Sequence, residues 1–330
     1  MTLLEVQNLS VAFHTADGIV TAVRNVSFDV AAGDTLGIVG ESGSGKSVTC
    51  LTMLGLTRGA EVSGSVLFEG RELLSLRGEE LRRVRGAEIA MVFQDPLSSL
   101  HPLYRIGWQM CEAMRAHQRI SRSKARRRAI ELLGLVGIPQ PARCVDDYPH
   151  QLSGGMRQRA MIALALSLQP KLLVADEPTT ALDVTVQAQI LELLTRVQDE
   201  FDMALILISH DLGVVAGMAD RVAVMYAGRI VETADRFALF AAPAHPYTKG
   251  LLQALPNRSL YGRERLRPIP GQPPSLIGLP SGCPFAPRCP VAFERCSTDE
   301  PQLVVVGEEA QRHVAACWQL SPDVTDLPVG

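Results

Sequence analysis

Apolar and polar positions alternate through the start of the chain, with Leu4, Val6, Leu9 and Val11 in one run and Val23, Val26, Phe28 and Val30 in a second. A period of two marks a half-buried strand, and Asp17-Gly18 between the runs marks a turn, so the region predicts antiparallel strands. The pattern then shortens. Residues 36–39 (LGIV) form a continuous apolar run followed by glycines and by a helical pattern over about 46–56. Residues 89–93 predict another short strand, ended by Gln94. From about 96 to 150 the strand signal disappears. Trp108, Met110, Cys111 and Met114, and then Ala129, Leu132, Leu133 and Val136, recur at helical spacing and predict a helical insertion. Strand patterns return at 172–175, 204–208 and 222–225 with helices between them. Strands alternating with helices predict an α/β fold, a mainly parallel sheet with helices on both faces.

Near Pro243 the composition changes. His245-Pro246-Tyr247 opens a short helix, and prolines then accumulate, among them Pro268, Pro270, Pro273, Pro274, Pro280, Pro284, Pro287 and Pro290. Proline donates no backbone hydrogen bond, so this stretch is neither a long helix nor a central strand. The expected organisation is a first domain over 1–245, with a helical subdomain over about 96–150, and a small irregular extension over 246–330.

A chain of 330 residues, 47% of them hydrophobic, can bury one large core and a small appended unit. The net charge of −3 argues against a nucleic-acid partner, which calls for a clear basic excess. The basic stretch Arg119, Arg122, Lys124, Arg126, Arg127 and Arg128 reads as a solvated helix face, with anionic lipid headgroups as the alternative contact. No apolar run approaches the roughly 18–20 residues that cross a bilayer. The first residues, MTLLEVQNLS, lack the basic start and apolar centre of a signal peptide. Together these features predict a cytosolic chain that reaches a membrane only through partners.

The most informative segment is GESGSGKS, Gly40, Glu41, Ser42, Gly43, Ser44, Gly45, Lys46 and Ser47, which fits G-x-x-x-x-G-K-[ST] in full. It lies between a buried strand and a helix. Its glycines let backbone N–H groups turn toward phosphates, and the helix N-terminus adds positive potential. Lys46 is the candidate for the β- and γ-phosphates and Ser47 for Mg²⁺. An acidic partner follows at LLVADE: Asp176, at a strand end, is a candidate for supporting Mg²⁺, and Glu177 for polarising the attacking water as general base. Gln94 and His210 also end strands, where ligands of α/β sheets bind. Gln94 is a candidate for touching Mg²⁺ and the water, and His210 for the γ-phosphate. Leu152-Ser153-Gly154-Gly155-Met156 precedes an apolar helix and offers a second anion site through Ser153, Gly154 and Gly155.

These elements, in this order, together with Ala181-Leu182-Asp183, resemble the ATPases of ABC transporters throughout residues 1–245. The resemblance implies a P-loop ATPase that binds ATP and Mg²⁺, with an antiparallel β subdomain beside the main sheet. Two such domains close head to tail, ATP lying between the P-loop of one and the signature of the other. Ser153 would then serve the partner's nucleotide and lie far from its own Lys46. Val48 and Asp183 join the nucleotide-binding set by the same resemblance. Phe13 is the candidate for stacking on adenine, with an ordinary core position as the alternative. Met156 replaces the family's usual Gln. The segments 94–102 (QDPLSSLHP), 245–248 (HPYT) and the cysteine-rich C-terminus resemble oligopeptide and dipeptide importer ATPases, with nickel importers sharing some features. His101 replaces the usual Asn.

That branch implies a peripheral subunit at the cytoplasmic face of the bacterial inner membrane. Its partners would be a second, homologous ATPase chain, two permease subunits and an extracellular substrate-binding protein. A soluble relative acting in DNA repair or on ribosomes would show two cassettes or long heptads, which are absent. A pure binding module would lack Glu177 and His210. Exporters often carry a fused membrane span.

Of seven cysteines, Cys50, Cys111 and Cys144 are scattered, while Cys283, Cys289, Cys296 and Cys317 crowd the C-terminal segment. In a reducing cytosol such a group predicts metal ligation rather than disulfides, with unliganded cysteines as the other alternative, and a metal would constrain a segment with few apolar residues. The paired C-x₂₋₄-C spacing of zinc sites is absent, and spacing alone does not choose between zinc and iron. The resemblance to peptide importers implies a [4Fe–4S] cluster on these four cysteines, with zinc as the alternative.

Overall fold

The computed structural model describes residues 2–95, 99–180, 182–255, 268–307 and 312–321. Pro96, Leu97, Ser98 and Ala181, singled out above, lie outside the described residues. Its strands are β1 (Thr2–Thr15), β2 (Gly18–Ala31), β3 (Thr35–Val39), β4 (Ala60–Phe68), β5 (Arg71–Glu72) and β6 (Ile89–Val92). They continue with β7 (Leu172–Asp176), β8 (Ala204–Ser209), β9 (Arg221–Tyr226), β10 (Arg229–Asp235), β11 (Val304–Val305) and β12 (Val314–Ala315). The chain packs as two compact units. One comprises residues 2–30, 35–74 and 209 onward; the other comprises 31–34 and 75–208.

In the first unit the alternating N-terminal positions form the expected sheet, in the order β2-β1-β4-β5. β1 runs antiparallel to β4, with Leu4 opposite Phe68 and Val6 opposite Val66. A bulge between Gln7 and Ser10 keeps the apolar positions on one face, so that Leu4, Val6, Leu9 and Val11 are all within 1% of full burial. β3 pairs in parallel with β9, and β10, β12 and β11 follow antiparallel. All five residues of β3 are buried. Each buried aliphatic contributes about 1.5–3 kcal/mol, which is why this strand reads as a continuous apolar run. The helix Leu212–Met218 lies directly on β3. A Cβ at Gly37 would stand 2.2 Å from Val215 Cγ1, so only glycine allows that approach. The helix Lys46–Met53 stops three residues before the sequence pattern does. Gly55 takes φ 61°, and the N–H groups of Leu54, Gly55 and Leu56 close back on the carbonyls of Leu51 and Thr52.

The C-terminal segment belongs to this unit. The helix Pro246–Gln253 starts with proline at its first position and is capped by His245, whose Nδ1 accepts from Tyr247 N at 3.0 Å. Fully buried Glu232 of β10 accepts from the backbone N–H groups of Ala244 (2.7 Å) and His245 (2.9 Å) and meets His313 Nε2 at 2.7 Å. A buried carboxylate with three partners ties together three separate stretches of the chain. In the proline stretch, Ile277 bridges to Val20, and Thr21 N donates to Leu276 O. The short strands β11 and β12, and β10 itself, were not legible in the sequence pattern.

Burial pushes the His245 imidazole down from 6.5 to about 3, with the charge of Lys249 acting in the same direction. The unfolded chain therefore takes up a proton at His245 between about pH 6.5 and 3 that the folded chain does not. The stability this histidine confers is fully present above about 6.5 and is lost as the pH falls below it. His245→Asn retains a cap acceptor but does not titrate. Thermal unfolding of both proteins from pH 7 to 4 should show a shallower acid decline in the variant; equal slopes would show that His245 does not set it.

In the second unit β6, β7 and β8 are parallel, with Ile89 opposite Leu172 and Leu172 opposite Ala204. The expected helical insertion is present as Ile106–His117 and Arg122–Leu135, followed by Gly154–Ala165. Met110, Met114, Ala125, Ala129, Leu132, Leu133 and Val136 form its buried face. Trp108 departs from that face. It is 48% exposed and stacks on Tyr104 with ring centroids 4.1 Å apart, beside Leu103 at 76% exposure. The basic helix face is solvated as expected, with Arg126 paired bidentately to Asp146 at 2.8 and 2.6 Å. Among the described residues, no helix is long and apolar enough to cross a membrane.

Candidate active site

The glycine-rich loop is clamped by its neighbours in the first unit. A Cβ at Gly40 would meet Met225 O at 2.2 Å, and one at Gly45 would meet Ala22 O at 2.4 Å. Gly40, Gly43 and Gly45 take φ values of 157°, 80° and 100°. At Gly40 and Gly45 both the backbone turn and the close approach require glycine. Gly228 N donates to Ser44 O at 3.0 Å, and Ser44 N to Glu41 O at 3.2 Å. Lys46 is 5% exposed, and its Nζ donates to Gly40 O (2.7 Å) and Glu41 O (3.0 Å), which holds the ammonium inside the ring of the loop. Ser42 and Gly43 are exposed at the tip, and Ser47 and Val48 are half-buried in the first turn of the helix. The loop is thus a rigid concave run of backbone with one cation at its centre, an arrangement that fits a polyphosphate. In the same unit, exposed His210 directly follows β8, between Ser209 and the helix cap Asp211. Phe13 is half-buried in β1 opposite Ala60.

In the second unit Asp176, 6% exposed, ends β7. Glu177 follows in the left-handed region, φ 45°, with its N–H donating to Ile208 O at 3.0 Å. A non-glycine residue held there is strained, and such strain gathers at functional positions. Its Oε2 accepts from Gln94 Nε2 and from Thr180 Oγ1, both at 2.9 Å. The structure therefore brings Gln94 and Glu177 together, and adds Thr180, which sequence reasoning missed. The only sequence signal for Thr180 was a hydroxyl three residues beyond the acid. Ser153 caps the helix Gly154–Ala165, its Oγ accepting from Met156 N at 3.3 Å. Ser153 and Gly154 are exposed, Gly155 is half-buried, and a Cβ at Gly155 would stand 3.0 Å from Val186. Asp183 caps the helix Val184–Phe201 through the N–H groups of Thr185 (3.1 Å) and Val186 (3.0 Å). That contact gives Asp183 a structural role of its own.

Sequence comparison adds what geometry alone does not. Residues 23–180 match the family described as ABC transporter, and residues 231–296 match the oligopeptide/dipeptide transporter C-terminal region. The dipeptide transport ATP-binding protein DppD of Bacillus subtilis (strain 168) is 50% identical over 319 residues, covering 96% of this chain and 94% of that protein. The chain belongs to the ABC transporter family. The oligopeptide transport ATP-binding protein OppD of the same organism is 50% identical over 324 residues, 97% of this chain and 90% of the relative. The structure of the ATP-binding cassette MJ0796, a dimer in a post-hydrolysis state with ADP and Pi, is 28% identical and superposes with a TM-score of 0.64. It covers 71% of this chain and 98% of that one. The expected P-loop ATPase fold is borne out, and with it the expected membership among peptide-importer ATPases.

The metal expectation is corrected. Cys283, Cys289, Cys296 and Cys317 do line one small cavity, with Phe285 and Pro301 among its walls. Among the described residues, however, no group of three or more His, Cys, Asp or Glu side chains is placed to hold a metal ion. Burial pushes the thiols of Cys283, Cys289 and Cys317 up. Neither an iron–sulfur cluster nor a zinc ion is supported.

Proposed function

We infer that this chain is the ATP-hydrolysing motor subunit of an importer of di- and oligopeptides. The observation that carries the chemistry is Glu177, strained at the end of β7 and held by Gln94 and Thr180. The peptide specificity rests on the C-terminal match and on the relatives' functions. Gly40 to Val48 bind the phosphates, Lys46 reaches the β- and γ-phosphates, and Phe13 stacks on adenine. Ser47 in the first unit, and Asp176 and Gln94 in the second, are the residues that would hold Mg²⁺, whose charge would offset that of the phosphates. Glu177 accepts the proton of the attacking water, Gln94 orients that carboxylate, and His210 touches the γ-phosphate. Ser153, Gly154, Gly155 and Asp183 serve the nucleotide of a second, homologous ATPase chain. Two permease subunits and an extracellular substrate-binding protein complete the complex, at the cytoplasmic face of the inner membrane.

The exposed Leu103, Tyr104 and Trp108 support docking of the helical insertion on a permease, since a large apolar patch at the surface marks an interaction site. Photocrosslinkers placed at Leu103 and Tyr104 should capture a permease loop in the assembled transporter. Capture solely from positions after Pro243 would refute this placement. The function itself is tested by ATP-dependent uptake of labelled di- and oligopeptides into vesicles carrying the complex. Nickel uptake without peptide uptake would replace the peptide reading by that of a nickel importer.

A further inference from the structure

The second residue of the phosphate loop is an acid. Glu41 places a carboxylate in a loop whose other features favour anions, and its electrostatic partner comes from the far end of the chain. Arg288 donates from Nη1 to Glu41 Oε2 at 2.6 Å and from Nη2 to Glu41 Oε1 at 2.9 Å. Its Nε donates to Pro270 O at 2.9 Å, and Nη1 also reaches the hydroxyl of Tyr226 at 3.3 Å. The Arg288 side chain is 5% exposed, against 27% for Glu41. A second tether acts on the backbone: Glu41 N donates to the hydroxyl of Tyr247 at 2.9 Å. Tyr226, Tyr247 and Phe285 are each at most 2% exposed and pack ring against ring, with centroids 4.6 to 5.4 Å apart. Both tethers therefore end in a rigid aromatic block. Glu41 O in turn accepts from Lys46 Nζ at 3.0 Å, so the residue held by the C-terminal segment also positions the loop's cation.

We propose that Arg288 is a positioning residue for the phosphate loop, cancelling the charge of Glu41 and fixing the corner from which Lys46 is held, so that nucleotide affinity depends on the docked C-terminal segment. This rests on the reading of the loop as the nucleotide site. Two physical effects act in the same direction. A bidentate guanidinium–carboxylate pair fixes orientation as well as charge. An uncompensated carboxylate in the loop repels the phosphates of the nucleotide.

The test is calorimetric titration of the full chain with the Mg²⁺ complex of the imidodiphosphate analogue of ATP, alongside thermal unfolding. Arg288→Ala is expected to weaken binding about tenfold, the range of an ordinary coupling between sites. In a Glu41→Gln background, which has no charge left to cancel, the same substitution is expected to change affinity by no more than about twofold. Arg288→Lys, which keeps the charge but not the two-pronged contact, is expected to weaken binding by less than Arg288→Ala does, and it supplies the measurement if Arg288→Ala does not fold. A lowered melting temperature with unchanged affinity would overturn the proposal, because Arg288 would then merely anchor the segment. So would an equal loss of affinity in both backgrounds, or Arg288→Lys binding as weakly as Arg288→Ala. Lys46→Ala is the control for the site. If the unmodified chain binds the analogue and Lys46→Ala binds it equally well, the reading of the loop fails, independently of Arg288.

Discussion

Replacing Glu177 by Gln should leave ATP binding intact and lower hydrolysis in the assembled transporter by about 10²–10⁴-fold, the usual contribution of a positioned general base. The substitution is nearly isosteric. Gln94 Nε2 and Thr180 Oγ1 both donate to Glu177 Oε2, and an amide oxygen at that position accepts from them in the same way. The backbone remains in its left-handed conformation, fixed by the bond from residue 177 N to Ile208 O. What disappears is the ability to take a proton from water. The variant therefore accumulates ATP-bound complex, and the measurement is phosphate release alongside nucleotide retention. A wild-type rate of phosphate release would remove Glu177 from the reaction. The companion variant Thr180→Ala tests the support alone: it should lower the rate less, because Gln94 still holds the carboxylate.

The contrast between what was legible and what was not follows sequence separation. The phosphate loop was legible because its strand, glycines and helix are contiguous, so one window of sequence contains the whole device. Asp176 and Glu177 were legible for the same reason. The partners of Glu41 were not: Tyr247 and Arg288 stand 206 and 247 residues away, and no local pattern distinguishes either from an ordinary aromatic or basic residue. Burial direction was also hidden. Trp108 keeps helical spacing with Met110 and Met114 only loosely, and the structure turns it outward to stack on Tyr104. The cysteines illustrate a different limit. Their crowding in sequence predicted a metal site; the structure shows only that all four line one cavity. Ligation also requires convergent geometry, and among the described residues no group of three or more such side chains is placed to hold a metal ion. Fold class was the most legible feature, because strands alternating with helices leave few topologies.

Lys46→Ala should act on binding rather than on chemistry, lowering affinity for magnesium-bound ATP by about 10–100-fold, as expected for loss of a hydrogen bond from a charged donor. The geometry makes the ammonium hard to replace. Its Nζ is held at 2.7 Å from Gly40 O and 3.0 Å from Glu41 O, so the chain itself aims the charge across the loop before any ligand arrives. A nucleotide phosphate entering the loop meets a cation whose side-chain entropy has already been lost, and this preorganisation favours binding. Lys46→Arg should fail to rescue. Two loop carbonyls converge on one compact ammonium, whereas a guanidinium is planar and spreads its donors over a wider fork. Steric room is short as well, because Gly45 is pressed against Ala22 O and Gly40 against Met225 O. The fold itself should tolerate Lys46→Ala, since the core beneath the loop is built by β3, β9 and the helix Leu212–Met218. Titration of the variant, with its melting temperature as control, separates the two effects. Unchanged affinity in a folded Lys46→Ala variant would refute the assignment of Lys46 to the phosphates.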